Sequence, residues 1–337
     1  MMLTGARQHP ERATIERLST EDAERLGLLD ASNRRRFAAF NTLVPYVYPT
    51  APVERARVCA LWCNWLFFFD DAHDERDVNG AELSLEHALE AAHHALAVLH
   101  SGKATTALTP LDALLLEFRT RSLELMGEGW LRRFEGHARD YLLEGTLPAC
   151  RHWLANTTPT LDAYVRQREF DSAVYTACAL IELAHGLRLS DEVLADPDFT
   201  ALNQACTRTV AFFNDLASYP KEVLAQHNPN NLVHVLAVER GVPFRPAGSP
   251  ADVTEAVLNE AVQVVNDTAR AVERAERRLS LKFPGDEHVA AYVVGIRHWQ
   301  RGNIESSLLE PRYRAAASPF ADLRPQPRPS APTVVRN

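Results

Sequence analysis

Along most of the chain, apolar residues recur at intervals of three and four, the spacing that lines one face of an α-helix. Residues 83–99, LSLEHALEAAHHALAVL, put Leu85, Ala88, Leu89, Ala92, Leu96 and Leu99 on one stripe, and the following His-Ser-Gly ends it. Residues 109–129 and 158–186 repeat the pattern, each opening on Thr with Pro or Asp close behind and closing on Gly. Each of these three stretches predicts a helix. The sequence has no alternating β-branched runs joined by hairpin turns, no internal repeat, and no Gly-rich phosphate loop. The predicted fold class is therefore all-α.

Composition narrows the setting. The 337 residues could form one large domain or two ordinary ones, and 46% hydrophobic content supports a sizeable core. A formal net charge of -8 and a pI of about 5.9, with no basic segment, argue against a nucleic-acid surface. Cys59, Cys63, Cys150, Cys178 and Cys206 show neither CxxC spacing nor a short disulfide framework, which fits reduced thiols and disfavours structural zinc. The charged N-terminus lacks the apolar core of a secretion signal, and no later stretch is long enough for a membrane span, so a cytoplasmic protein is expected. After Arg314 the chain turns rich in Pro and polar residues. The expected organisation is a partly ordered lead-in over 1–29, one folded domain over 30–314, and a disordered tail over 315–337.

Four segments carry candidate chemistry. In LWCNWLFFFDDAHDE, residues 61–75, five aromatic rings run directly into Asp70, Asp71, Asp74 and Glu75. On a helix Asp70 and Asp74 stack on one face with Cβ atoms roughly 5–6 Å apart, and the same face continues back through Phe67 to Cys63. Paired carboxylates destabilise a helix unless a cation lies between them, and their hard oxygens suit Mg²⁺; a solvated acidic helix end is the plain alternative. In AFFNDLASYPKE, residues 211–222, Asn214, Ser218 and Glu222 are spaced i, i+4, i+8 and fall within about 80° of one another on a helix. They make a strip of three hard oxygen donors with Lys221 at its edge, and Phe212 and Phe213 predict that the segment is buried. Pro220 interrupts it, so a kink is expected with Ser218 and Glu222 still converging. In YVRQREFDS, residues 164–172, Tyr164, Arg168, Asp171, Ser172 and, further on, Tyr175 share a face. A guanidinium beside a carboxylate there is either a structural ion pair or an anion sensor. Arg312 and Tyr313 follow a proline near the end of the folded region and add a cation and a phenol.

Taken together and in this order, these pieces resemble the bacterial class I terpene synthases, most closely the sesquiterpene synthases, over about residues 45–313. DDAHDE matches the aspartate-rich motif, with Asp70 and Asp74 as metal ligands. NDLASYPKE matches the second metal motif, (N/D)Dxx(S/T)xxxE, as Asn214, Ser218 and Glu222, with Lys221 as a diphosphate contact. The family's diphosphate-sensing arginine falls on Arg168, its sensor aspartate on Asp171, and its C-terminal Arg-Tyr pair on Arg312 and Tyr313. The resemblance implies a single-domain helical bundle of the class I terpenoid synthase type around a central cavity. It also implies a trinuclear Mg²⁺ cluster, for which Mn²⁺ can substitute, and a prenyl diphosphate substrate; a homodimer is compatible with it. The implied reaction is ionisation of farnesyl diphosphate to an allylic cation, with Phe67 and neighbouring rings walling the hydrocarbon end, then cyclisation to a sesquiterpene hydrocarbon or alcohol. Aromatic-then-acid would then be the boundary between a hydrocarbon and its diphosphate.

Two positions depart from the family pattern. Ser172 stands where a small linker, most often Gly, is usual. Ser306 stands where GNxxW supplies an active-site tryptophan, leaving a volume to be filled by another ring such as Trp299 or Tyr292, or a hydroxyl able to hold water. Three other readings remain at this point: a diterpene synthase acting on geranylgeranyl diphosphate, a chain-elongating prenyltransferase, which would need a second aspartate-rich motif where Asn214, Ser218 and Glu222 stand, and a non-catalytic helical scaffold.

Overall fold

The computed structural model describes residues 8–74, 84–104, 108–242, 253–310, 313–320 and 323–324, with the side chains of 71–74 excepted. Among the described residues there are α-helices and two π-helical segments and no strand. The helices are α1 (Arg12–Arg25), α2 (Arg34–Phe40), α3 (Leu43–Val47), α4 (Val53–Asp74), α5 (Leu85–Ser101), α6 (Pro110–Met126), α7 (Glu128–Arg139), α8 (Leu147–Ala155), α9 (Leu161–Asp171), α10 (Val174–His185), α11 (Asp191–Ala195), α12 (Pro197–Tyr219), α13 (Leu232–Glu239), α14 (Glu255–Lys282) and α15 (Glu287–Leu309). The π-helical segments are Asp140–Thr146, between α7 and α8, and Pro220–Ala225, after α12. No helix among the described residues is long and apolar enough to cross a membrane.

The capping chemistry predicted at the helix starts is present. Ser84 accepts from the His87 N–H at the head of α5, and Gly102 closes that helix at φ 68°. Thr109 and Asp112 form a reciprocal capping box around Pro110 on α6. That helix ends at Gly127, two residues before the Gly129 that the sequence suggests, because Gly127 takes φ 81°. On α5, Ala88, Ala92, Ala95, Val98 and Leu99 are buried, while Leu89 of the predicted stripe is exposed.

The predicted helix over 158–186 is two helices. The chain breaks after Asp171: Ser172 caps α9, and Ala173 takes the left-handed conformation at φ 56° before α10 begins. An alanine held there costs of order 1–3 kcal/mol, so the surroundings must impose it. They do so from two sides. The Ala173 carbonyl accepts from the Thr176 hydroxyl (2.6 Å), which in turn accepts from Trp62 Nε1 of α4 (2.8 Å). On the other side, Gly145 of the first π segment lies so close that a Cβ there would sit 2.2 Å from the Asp171 nitrogen.

The core gathers around α4. Trp62 and Trp65 stack at 5.0 Å, Phe134 meets Trp62 edge-on at 4.7 Å, and Phe69 stacks on Trp65. Helix α1 is tied to this core through Asp22, fully buried, which accepts two hydrogen bonds from Arg57 (2.6 and 2.8 Å). At the other end, described residues of the segment expected to be a disordered tail pack instead: Ser318 and Leu323 are buried, and Leu323 joins Tyr313 and Ala217 of α12 in one apolar cluster. The proline-rich composition there does not prevent two short turns from covering α12. All five cysteines are free and buried.

Candidate active site

One cavity of about 210 Å³ opens between α4, α9, α10, α12, α15 and the two π segments. Its lining unites the residues that the sequence singled out: Phe67 and Asp70; Arg168, Asp171 and Ser172; Asn214, Ser218, Lys221 and Glu222; Ser306; and Tyr313. Arg312 lies outside the described residues, and so does the side chain of Asp74 at the end of α4.

The cavity wall from α4 follows helical geometry. Cys63, Phe67 and Asp70 face it, with Leu66 beside them. The five aromatics of this helix divide by direction: Trp65 and Phe69 turn into the core, Trp62 stacks on Trp65 and reaches the cavity wall, Phe68 meets Phe37 and Phe40 of α2, and Phe67 stacks on Phe40 at 4.6 Å while lining the cavity. Asp70 accepts a hydrogen bond from the Tyr141 hydroxyl of the first π segment. An abrupt apolar-to-acidic switch along the sequence is thus a switch along the cavity wall.

The second wall is the strip on α12. Proline 220 has no N–H to give to the preceding turn, and the backbone answers by widening into the π segment rather than by ending the helix; Gln226 N–H bonds the Lys221 carbonyl at 3.0 Å, a five-residue step. Asn214, Ser218, Lys221 and Glu222 all remain on the cavity despite the change of pitch. Asn231, which caps α13, donates to Glu222 Oε2 (3.1 Å) and to the Asp215 carbonyl (2.9 Å), fixing the end of the strip.

Behind this strip lies a buried network centred on Asp215, a residue that the sequence did not single out. Asp215, completely buried, accepts from Arg168 Nε (2.9 Å), from the Leu232 N–H (3.1 Å) and from the Tyr164 hydroxyl. Arg168 donates in addition to Asn214 Oδ1 (3.0 Å) and Asp171 Oδ2 (3.3 Å), and Asn214 passes the chain on by donating to the Tyr313 hydroxyl (2.9 Å). Burial works against the Arg168 charge, but Asp215, Tyr164, Asp171 and Glu222 together outweigh it, so the guanidinium stays protonated. Burial also lifts Asp215 to about 6, against the pull of Arg168. Burial raises Asp171 too, with Arg168 again opposing. Arg168 is therefore both a buried ion-pair member and a cavity-lining cation. The missed signal was in plain view: Asp215 is the second letter of NDLAS.

Oxygen donors from Asp70, Asn214, Ser218 and Glu222 line the same cavity, and the Ser218 hydroxyl is buried without a protein partner among the described residues. Hard oxygens of this kind, one of them still seeking a partner, fit Mg²⁺ rather than a softer metal. Of the two rings offered for the volume beside Ser306, Trp299 lines the cavity, edge-on to Tyr48 at 5.8 Å, whereas Tyr292 turns away and donates to Asn203 (2.5 Å).

Comparison with known proteins identifies the family and the fold. A family model described as terpene synthase family 2, C-terminal metal binding, matches residues 61–270. A 4-epi-cubebol synthase ((2E,6E)-farnesyl diphosphate cyclizing) from Streptosporangium roseum is 30% identical over 91% of this chain and 87% of its own length. A (+)-T-muurolol synthase from Roseiflexus castenholzii is 30% identical over 90% of each chain. Among solved structures, the linalool/nerolidol synthase from Streptomyces clavuligerus in complex with 2-fluorogeranyl diphosphate superposes with a TM-score of 0.75 at 20% identity, covering 89% of this chain and all of its own, which supports the fold. With the family model spanning more than half of its residues and the α12 strip and α4 wall meeting on one cavity, the chain belongs to the class I terpene synthases, as a member of the metal-binding terpene synthase family 2.

Proposed function

We propose that this chain ionises farnesyl diphosphate in a divalent-metal-dependent reaction and cyclises the resulting cation to a cyclic sesquiterpene, releasing diphosphate. The observation that carries the reading is the polarity of this cavity: Phe40, Leu66 and Phe67 form apolar wall, and Asp70, Arg168, Asn214, Ser218, Lys221, Glu222 and Tyr313 supply charge and oxygen to the same space. The choice of farnesyl diphosphate over geranylgeranyl diphosphate rests on the Streptosporangium relative, whose name states that substrate.

Asp70 and Asp74 on α4, and Asn214, Ser218 and Glu222 on α12 and its π extension, are the residues that would hold the metal, as a trinuclear Mg²⁺ cluster that Mn²⁺ can replace. When bound, the metal supplies Lewis-acid withdrawal of charge from the phosphoryl oxygens. The protein's own cations, Arg168, Lys221 and Arg312, with the Tyr313 phenol, take up the rest of the diphosphate charge. Arg168 must turn part of its fork away from Asn214 to do so, which couples substrate arrival to the second metal motif through one hydrogen bond. Asp171 shares that guanidinium and sits at the α9 break, where a shift of Arg168 is passed to the backbone at Ser172. Phe67 offers a π face to the cation, a contact of about 0.5–2 kcal/mol, and the apolar wall excludes water from it. All the side chains named come from one chain, so the chemistry does not require a homodimer. The strip of Asn214, Ser218 and Glu222 replaces the second aspartate-rich motif that chain elongation needs.

Incubation of the full chain with farnesyl diphosphate and Mg²⁺, followed by headspace gas chromatography, tests the reading. A cyclic C15 product, lost on chelation, is expected; a longer prenyl diphosphate, or no diphosphate release, contradicts it.

A further inference from the structure

The α15 wall of the cavity is polar where a carbocation would be expected to meet hydrocarbon or aromatic surface. This helix runs from Trp299, against Tyr48, toward the Tyr313 phenol that bonds Asn214 at the metal strip. Between those ends, Asn303, Ser306 and Ser307 line the cavity. Position 306 lies about 10 Å along the helix from Trp299, between that ring and the metal-facing end of the cavity. Ser306 is 5% exposed, and its hydroxyl spends its proton on the Asn303 carbonyl (3.0 Å), which leaves the Ser306 oxygen free to accept. The Asn303 side-chain oxygen is buried and has no protein partner among the described residues. Residues three apart are neighbours on a helix face, with Cβ atoms about 5–6 Å apart, close enough for one water to donate to both oxygens. Thr146 Oγ1, on the first π segment, is likewise buried and unpartnered on the cavity, but it has no second acceptor one turn away.

From this we infer that Asn303 and Ser306 hold a water against the hydrocarbon part of the cavity, and that this water captures the last carbocation, so that the product is an alcohol. The inference rests on the prenyl diphosphate reading above. With both protons of the water directed at Ser306 and Asn303, its lone pair faces the substrate. That lone pair forms the new C–O bond, and one proton passes from the resulting oxonium to the diphosphate released at ionisation. Prenyl diphosphate and water thus give cyclic alcohol and diphosphate, with no oxidant or reductant. Without such a water the cation would close the sequence by losing a proton to give an olefin, so the ratio of alcohol to hydrocarbon reads the patch directly.

The test is product analysis of the full chain with farnesyl diphosphate and Mg²⁺ in ¹⁸O-labelled water, comparing the wild type with Ser306→Ala, Asn303→Leu and Thr146→Val. The expected result is a wild-type alcohol carrying one ¹⁸O. Its ratio to hydrocarbon should fall about tenfold in Ser306→Ala and in Asn303→Leu, the size of effect that one hydrogen bond to a reacting water has on competing steps. Thr146→Val should leave that ratio unchanged. A wild type that makes only hydrocarbon overturns the inference and leaves the cyclase reading standing. So does an ¹⁸O-alcohol whose ratio ignores both α15 substitutions or responds to Thr146→Val alone. Absence of any product or diphosphate release overturns the cyclase reading itself.

Discussion

The two metal-facing segments are built in opposite ways. On α4, the cavity-facing Asp70 accepts from Tyr141 at the end of a helix whose rigidity comes from stacked aromatic rings. On α12, Asn214 and Ser218 stand in front of a fully buried carboxylate, Asp215, held by Arg168, Tyr164 and the Leu232 N–H, and are bracketed by Asn231 and Tyr313. The first segment is positioned by packing and the second by polar connections. It follows that substitutions on α4 should separate activity from stability, and substitutions behind α12 should not.

The largest expected effect breaks the α12 side. Asp215→Ala leaves the Arg168 charge buried beside two weaker partners, and removing one member of a buried pair costs about 3–5 kcal/mol. Asp70→Asn, by contrast, removes a cavity-facing charge and no volume. Its denaturation midpoint should match the wild type while metal-dependent turnover falls by about two orders of magnitude or more. Urea unfolding of both variants checks the contrast, and equal midpoints would dissolve it.

A smaller effect sharpens the contrast at the α9 break. Gly145→Ala forces a methyl onto the Asp171 backbone, and overpacking of this kind costs about 1–3 kcal/mol. Because Asp171 partners Arg168, turnover should drop as well, whereas Gly136→Ala, on the same stretch with open space at its Cβ, should be neutral in both assays.

The smallest effect concerns a buried acid outside both motifs. Glu182 on α10 pairs with Arg133 (2.7 Å), yet burial dominates and lifts its carboxyl from 4.5 to about 7. The folded chain therefore holds this proton more tightly than the unfolded chain does. The stabilising contribution is complete below about pH 4.5 and is lost as pH rises through about 7. Relative to Glu182→Gln, the wild type should lose stability across that interval, measured as denaturation midpoints at several pH values; a flat difference would mean that Arg133 prevails over burial.

The helical class and most of the cavity residues were legible because a helix converts sequence spacing into direction without help from the rest of the molecule. The Cys63, Phe67, Asp70 stripe and the Asn214, Ser218, Glu222 strip both fall on the cavity for that reason. What escaped were features set by contacts distant in sequence. Ala173 is a good helix former, and nothing local announces a left-handed residue there; Trp62 through Thr176, and Gly145 against Asp171, impose it. Pro220 announced a disturbance but not its form, and the first π segment, which supplies Tyr141 and Thr146, had no signal at all. Asp215 was passed over because a carboxylate beside a metal motif reads as another ligand or as nothing, and its role depends on an arginine forty-seven residues away. The buried Leu323 shows the same limit from the other side, since composition speaks for a segment's average and not for the one side chain that finds a groove.

The central claim is that α4 and α12 serve one metal-dependent site, and the most direct test is turnover of farnesyl diphosphate as a function of Mg²⁺ concentration for the wild type, Asp70→Asn and Asn214→Ala. Each variant should lose about a hundredfold or more in turnover at wild-type Mg²⁺ levels, with a shifted Mg²⁺ requirement wherever activity is still measurable, although the two residues lie on different helices. Wild-type turnover and an unchanged Mg²⁺ curve in either variant would contradict it.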